Sequence, residues 1–73
     1  MPDAVAMPHS KEAEEALLGA AIIDPEETAS LTIIPDDFYL RHNGVIWDAI
    51  QRLRRARQPV DYITIANELE RTS

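Results

Sequence analysis

The sequence predicts an all-α fold, a small antiparallel bundle of helices. Apolar residues recur at helical spacing over 11–23 and again over 43–57. Capping residues and prolines separate the helical segments, and all of the regular pattern is helical. The connections between these segments are short, which favours antiparallel neighbours.

Size and composition predict one domain that associates. The chain has 73 residues and no cysteine, so it holds one small core without disulfide support. Hydrophobic gain and ordering entropy nearly cancel in such a core, so association with itself or with another chain is expected. The longest apolar run, Ala16 to Ile23, is eight residues, whereas a membrane-spanning helix needs about 20. Nothing resembles a signal peptide, so a cytoplasmic location is expected.

The N-terminal residues are divided between an arm and the first helix. Residues 1–9 have no periodic pattern and are predicted to form a flexible arm before one helical domain spanning 10–73. Ser10 is a suitable N-cap for a helix over 11–23. Small residues on this helix, including Gly19, favour close approach by another helix. The helix dipole favours the acidic residues in its first turns, which are Glu12, Glu14 and Glu15.

The next segment restarts the helix and then becomes extended. Asp24 followed by Pro25 predicts a capped helix that ends near residue 31. Residues 32–34 precede a proline, which favours an extended backbone. A short turn or helix then begins and ends near residue 40, with Phe38 as its anchor in the core.

Residues 43–57 have the strongest helical periodicity. Trp47 lies outside the apolar arc of this helix, beside Gln51 and Arg54, so either a further element covers Trp47 or it is partly exposed. Gln58-Pro59 ends the helix. The apolar arc spans about 140° and consists of Val45, Ile46, Ala49, Ile50, Leu53 and Ala56.

Asp61 is predicted to cap a final helix. This helix has few bulky apolar residues, so it is expected to dock against the others. The combined helices predict a core that consists of Leu17, Phe38, Ile46, Ile50, Leu53, Ile65 and Leu69.

No motif for catalysis is visible. Gly19 and Gly44 are the only glycines and are isolated, so the chain has no phosphate-binding loop and an ATPase is excluded for it. The serines have no recognisable His-and-acid partners. His9 is assigned to solvent and His42 to a capping or surface role. We therefore expect no enzyme activity, no cofactor and no metal site.

A basic stripe is the candidate interaction surface. Four arginines occur within residues 52–57 of a chain whose net charge is −6. Residues 1–37 contain nine acidic residues and one lysine, whereas 38–73 contain four acidic residues and six arginines. This polarity could orient the domain on a partner, although a solvated helix face with cations near its C-terminus is the alternative. The candidate surface residues are Arg52, Arg54, Arg55 and Trp47.

Three groups of residues carry a resemblance to a known family. The chain resembles the N-terminal domain of DnaB-type replicative DNA helicases from about residue 8 to 70. The first group is Pro8-His9-Ser10, Glu12-Ala13-Glu14, Leu18-Gly19 and Asp24. The second is Asp37-Phe38-Tyr39, Asn43, Ile46-Trp47, Ala49-Ile50 and Leu53. The third is Pro59-Val60-Asp61, Thr64 and Leu69.

The resemblance implies a helical domain that is distinct from the motor. In the family this domain forms a collar on the helicase ring and helps to dock the primase, whereas a separate domain hydrolyses ATP. The C-terminal helical hairpin of the family domain is lacking here. Lys11 and Ala21 also depart from the usual residues. Arg57 stands where the family often has glycine, so a positive φ there would cost about 1 kcal/mol.

The favoured function is a non-catalytic interaction domain for ring assembly and for docking of a primase or loader. Its expected partners are proteins, namely helicase subunits, primase or loader, and a homo-oligomer stays open; neither nucleic acid nor membrane is expected. One alternative is a helix-turn-helix DNA reader built from 45–57 and 62–70. Its recognition helix would place Glu68 and Glu70 near phosphate, which is unfavourable. Another alternative is a stand-alone helicase-binding adaptor.

Overall fold

A central helix organises the packing of the molecule. The computed structural model describes residues 10–72, so the predicted N-terminal arm over 1–9 lies outside the described residues. The described part contains four α-helices and one 3-10 helix over Pro35–Asp37, with no strand. The helices are α1 (Lys11–Ile23), α2 (Pro25–Thr28), α3 (Arg41–Arg55) and α4 (Tyr62–Thr72). The predicted all-α class is confirmed.

Side-chain caps fix the boundaries of α1 and α2. The Ser10 hydroxyl accepts a hydrogen bond from the Ala13 amide at 2.9 Å, and α1 ends at residue 23 as predicted. The Asp24 carboxylate then accepts from the Glu27 amide at 3.1 Å and starts α2. Helix α2 ends at Thr28, earlier than the predicted end near residue 31. The Thr28 hydroxyl donates to the Pro25 carbonyl at 3.2 Å, and such local bonds compete with helix continuation.

Helix α3 begins and ends two residues before the predicted limits of 43 and 57. Its C-terminal turn closes by two backbone hydrogen bonds, from Arg57 to the Arg54 carbonyl at 3.0 Å and from Gln58 to the Leu53 carbonyl at 2.9 Å. This is a Schellman ending, which requires a left-handed residue after the helix. Arg57 supplies it with φ = 60°, so the departure from glycine falls at a position that does need positive φ.

A reciprocal cap begins α4. The Asp61 carboxylate accepts from the Thr64 amide at 2.8 Å, and the Thr64 hydroxyl accepts from the Asp61 amide at 2.9 Å. This pair satisfies two backbone donors that a helix start would leave open. The predicted cap at Asp61 is therefore confirmed.

The core lies between α3 and the elements packed around it. Four predicted core residues are buried, namely Phe38, Ile50, Leu53 and Ile65. Three others, Leu17, Ile46 and Leu69, are half-buried and pack against that core. The buried cluster also contains Leu18, Ala21 and Trp47.

Trp47 corrects the expected position of one side of α3. The prediction of Trp47 as a surface residue is wrong, because its side chain is 1% exposed. Its Nε1 donates to the Ile33 carbonyl at 2.9 Å, and its ring centroid lies 5.7 Å from that of Phe38. The segment before α3 therefore covers the side of the helix opposite the predicted arc. Val45, on that arc, remains 46% exposed.

Candidate functional site

The predicted basic stripe divides into engaged and exposed arginines. Arg52 is engaged within the fold, since its guanidinium bonds to Asp48 and its Nε donates to Glu68 Oε2 at 2.7 Å. A weaker contact joins its Nη2 to the Thr72 hydroxyl at 3.4 Å. These contacts fasten α4 to α3, so Arg52 stabilises the fold with the donors that a partner would need.

Glu68 is the acceptor at the centre of this network. Arg71 donates to Glu68 Oε2 at 2.6 Å, in addition to the bond from Arg52. The hydrogen bonds from Arg71 and then from Arg52 hold the pKa of the Glu68 carboxyl below its usual value, although its partial burial opposes this shift. The same pair raises the pKa of Arg71. Glu68 therefore acts as a structural anion between α3 and α4.

The exposed arginines lie at the C-terminal end of α3. Arg54, Arg55 and Arg57 line a surface depression together with Glu26 of α2. Arg54 is partly restrained, because its Nε donates to Gln51 at 3.2 Å and its Nη1 lies 3.9 Å from Glu26. Arg55 and Arg57 are exposed, and no acidic side chain within residues 10–72 forms an ion pair with either. We call Arg54, Arg55 and Arg57 the arginine surface.

The opposite end of α3 is closed by a buried carboxylate. Glu14 of α1 is 0% exposed and accepts from the backbone amides of Tyr39 at 2.6 Å and Leu40 at 3.3 Å. It also accepts from Asn43 Nδ2 at 2.9 Å. The N-cap residue Leu40 has no side-chain cap of its own. A residue from another helix therefore satisfies the start of α3.

Sequence reasoning treated Glu14 only as a favourable charge near a helix start. The pattern that could have identified it is its register, because Glu14 lies four residues before Leu18 and seven before Ala21, the other buried residues of α1. Glu68 is similarly placed three residues after the buried Ile65. An acidic residue in register with a buried face predicts an internal hydrogen-bond acceptor.

An open apolar trough separates α1 from α4. Both helices pack on α3, but they share no pair of Cα atoms within 8 Å. The resulting cavity of about 410 Å³ has a floor that includes Ile46 of α3. The α1 wall consists of Glu15, Leu18, Gly19 and Ile22, and the α4 wall consists of Tyr62, Ile65, Ala66 and Leu69. We call this feature the α1–α4 trough.

The described residues form no recognisable catalytic or metal-binding group. No cluster of three or more His, Asp or Glu side chains that could hold a metal occurs between residues 10 and 72. His42 is exposed at the edge of the trough, and His9 lies outside the described part of the chain. No helix among the described residues is both long and apolar enough to cross a membrane.

Fold and surface together define a class, a small all-helical domain whose conspicuous features are a basic surface and an apolar trough. Comparison with known proteins then identifies the family. Residues 6–73 match the family described as the DnaB-like helicase N terminal domain, and the chain belongs to this family. The match covers almost the whole chain.

Replicative helicases of several bacteria are similar to this chain. It is 40% identical over 67 residues to the replicative DNA helicase DnaC of Bacillus subtilis, covering 89% of this chain and 15% of that protein. It is 42% identical over 64 residues to the replicative DNA helicase DnaB of Geobacillus stearothermophilus, covering 85% of this chain and 14% of the relative. The corresponding values for DnaB of Pasteurella multocida are 40% over 60 residues, 80% and 13%.

The chain therefore spans about 15% of the length of these curated relatives. No solved structure gives a significant match. The family assignment places the 73 residues in the N-terminal domain of replicative helicases and indicates a role in DNA replication.

Proposed function

We propose that this chain is a non-catalytic protein-interaction domain that serves helicase ring assembly and the docking of a primase or loader in the bacterial cytoplasm. Membership of the DnaB-like helicase N-terminal family supports this proposal. The sequence also lacks a phosphate-binding loop, so nucleotide chemistry belongs elsewhere in such an assembly.

The observation that carries the proposed docking surface is the difference between Arg52 and Arg55. Arg52 spends its donors on Asp48 and Glu68, whereas Arg55 is exposed and forms no ion pair within the described residues. Arg57 is equally exposed. On a chain of net charge −6, an exposed cationic cluster at one end favours a partner with an acidic surface. The proposed contact residues are therefore Arg54, Arg55 and Arg57.

Charge reversal tests this surface. Arg55→Glu should weaken binding of the cognate primase or loader by about tenfold and steepen the loss of affinity with salt, because rim charges act through screened attraction. Its melting temperature should stay within about 2 °C of the unmodified chain, since the side chain has no partner in the fold. Lys11→Glu is the matched control, because it makes the same charge change at the far end of α1.

Binding would be measured by surface plasmon resonance with the purified primase and loader in turn. Equal affinities for Arg55→Glu and Lys11→Glu would remove the arginine surface from the proposal. A loss of affinity accompanied by a lower melting temperature would instead indicate a role in folding.

A helix-turn-helix DNA reader is the second candidate, because α3, a short turn and α4 follow one another in the required order. Two features weigh against it. Glu68 of the would-be recognition helix is held by Arg71, so the cation nearest to it is already neutralised. Few cations remain on α4 for phosphate contacts. Titration with a duplex at low salt separates the two functions, since only the DNA reader should bind.

A further inference from the structure

The α1–α4 trough is a second surface, distant from the arginine surface along α3. Its floor includes His42, Asn43 and Ile46 from the N-terminal half of α3, whereas the arginine surface begins at Arg54. The two surfaces therefore occupy opposite ends of the central helix. An inference about the trough stands or falls without the proposed arginine contact.

The two walls of the trough have the spacing of helix-packing faces. On α1 the wall residues are separated by three, four and seven positions, counted from Glu15, and on α4 they have the same separations counted from Tyr62. Such positions line one face of a helix and pack against a neighbouring helix. Each wall thus presents about two turns to an occupant lying between them.

The middle of the trough is open and smooth. A Cβ atom added to Gly19 would meet nothing within 4 Å, and Ala66 on the opposite wall is also exposed. Small residues at a helix interface allow the backbone of another helix to approach closely. Around this opening two large apolar side chains remain uncovered, since Tyr62 is 78% exposed and Val45 is 46% exposed.

Charge at the trough is unequal. Arg41 and His42 lie at its α3 edge, and both are exposed. No ion pair of either residue occurs within residues 10–72. The acidic wall residue Glu15 is already paired with Lys11 at 3.2 Å. The uncompensated charge beside the trough is therefore positive.

We propose that the α1–α4 trough binds one amphipathic α-helix of a partner protein, with an acidic residue of that helix meeting Arg41 and His42. An apolar stripe on the helix fills the space above Ile46, between Gly19 and Ala66. The carboxylate supplies the charge complement that the fold does not. This occupant would bury apolar surface on α1, α3 and α4 at once and join two helices that do not touch.

A designed helical peptide tests this chemistry directly. The probe is a hydrocarbon-stapled amphipathic peptide with leucines at i, i+3, i+4 and i+7 and two glutamates in the adjoining turn. Its twin carries lysines in place of the glutamates. Nitrogen-15 NMR of the purified chain should show shifts at Gly19, Ile46 and Ala66 on addition of the glutamate peptide, and the lysine twin should bind about tenfold more weakly.

Two variants separate the trough from the rest of α1. Gly19→Leu fills the opening and should weaken binding of the glutamate peptide by at least about tenfold, without loss of melting temperature, because its side chain enters open space. Ala16→Leu is the matched control on the same helix, since Ala16 is exposed and does not line the trough. Its affinity should stay within about twofold.

A third variant tests the charge assignment without altering the trough itself. Arg41→Glu should reverse the preference, so that the lysine twin binds more tightly than the glutamate peptide. Three results would overturn the proposal: shifts confined to other surfaces, equal affinity of the Gly19→Leu and Ala16→Leu variants, or unchanged preference in Arg41→Glu. Concentration-dependent self-association that Gly19→Leu abolishes would also overturn it, by assigning the trough to a second copy of this chain.

Discussion

The two ends of α3 are satisfied in opposite ways. At the start of the helix, a fully buried carboxylate from α1 accepts the Tyr39 and Leu40 amides. At its end, the backbone closes on itself through left-handed Arg57, and the neighbouring side chains stay in solvent. The first end depends on a residue distant in sequence, whereas the second is local. We infer that the start of α3 contributes mainly to stability and that its end is freer to serve binding.

The largest expected effect comes from removing the buried carboxylate. Glu14→Ala leaves two backbone amides and the Asn43 side chain without their acceptor, which should destabilise the fold by about 3 kcal/mol. Urea unfolding followed by circular dichroism measures this change. Glu15→Ala is the matched control, because Glu15 is exposed, and it should cost less than about 0.5 kcal/mol. Equal costs for the two variants would contradict the proposed difference between the ends of α3.

The next effect compares the two glycines. A Cβ on Gly44 would lie 3.2 Å from the Pro35 carbonyl carbon and closer still to its oxygen. Gly44→Ala should therefore destabilise the fold by about 2 kcal/mol, because the 3-10 helix has to move away from α3. Gly19→Ala should instead stabilise it by about 0.5–1 kcal/mol, since Gly19 is helical with open space around it. The same sign for both substitutions in thermal unfolding would be inconsistent with this packing.

A smaller effect is expected at the C-terminal end of α3. Arg57→Gly should stabilise the chain by about 0.5–1 kcal/mol, because glycine adopts the φ of 60° without the cost that a side chain brings. Arg55→Gly, within the helix, should destabilise it by a similar amount. Differential scanning calorimetry of both variants checks the pair, and a destabilising Arg57→Gly would show that the Arg57 side chain stabilises the fold by contacts.

The smallest effect concerns acid. Because Arg71 and Arg52 lower the pKa of Glu68 in the folded chain, its contribution to stability is complete above the carboxyl's unfolded pKa of about 4.3. That contribution is lost as pH falls through the lower folded value. Glu68→Gln should therefore reduce the acid dependence of the melting temperature below about pH 4.5. An unchanged pH profile would mean that the α3–α4 ion pairs do not couple to folding.

The local parts of this fold were predictable from the sequence, and the non-local parts were not. Ser10, Asp24 and Asp61 cap helices through bonds to residues three positions away, so their roles follow from neighbouring residues alone. The burial of Trp47 depends on the Ile33 carbonyl and the Phe38 ring, which helical periodicity does not place. Periodicity identifies one face of a helix but cannot tell that a second element covers the opposite face.

The candidate site was predictable in the same limited sense. The basic stripe is evident from four arginines within residues 52–57. Which of them stay available is decided by Glu68 on α4, sixteen residues after Arg52. The trough could not have been located from sequence, because it exists only where α1 and α4 both pack on α3 and remain apart.

The bond from Asn43 to Glu14 joins residues 29 positions apart. It makes the intervening stretch a closed loop whose ordering entropy is lost in one step rather than gradually. We expect α1 and the beginning of α3 to assemble together in the folding transition state. A fragment that starts after α1 should therefore be largely unfolded, even though it retains the longest helix of the protein.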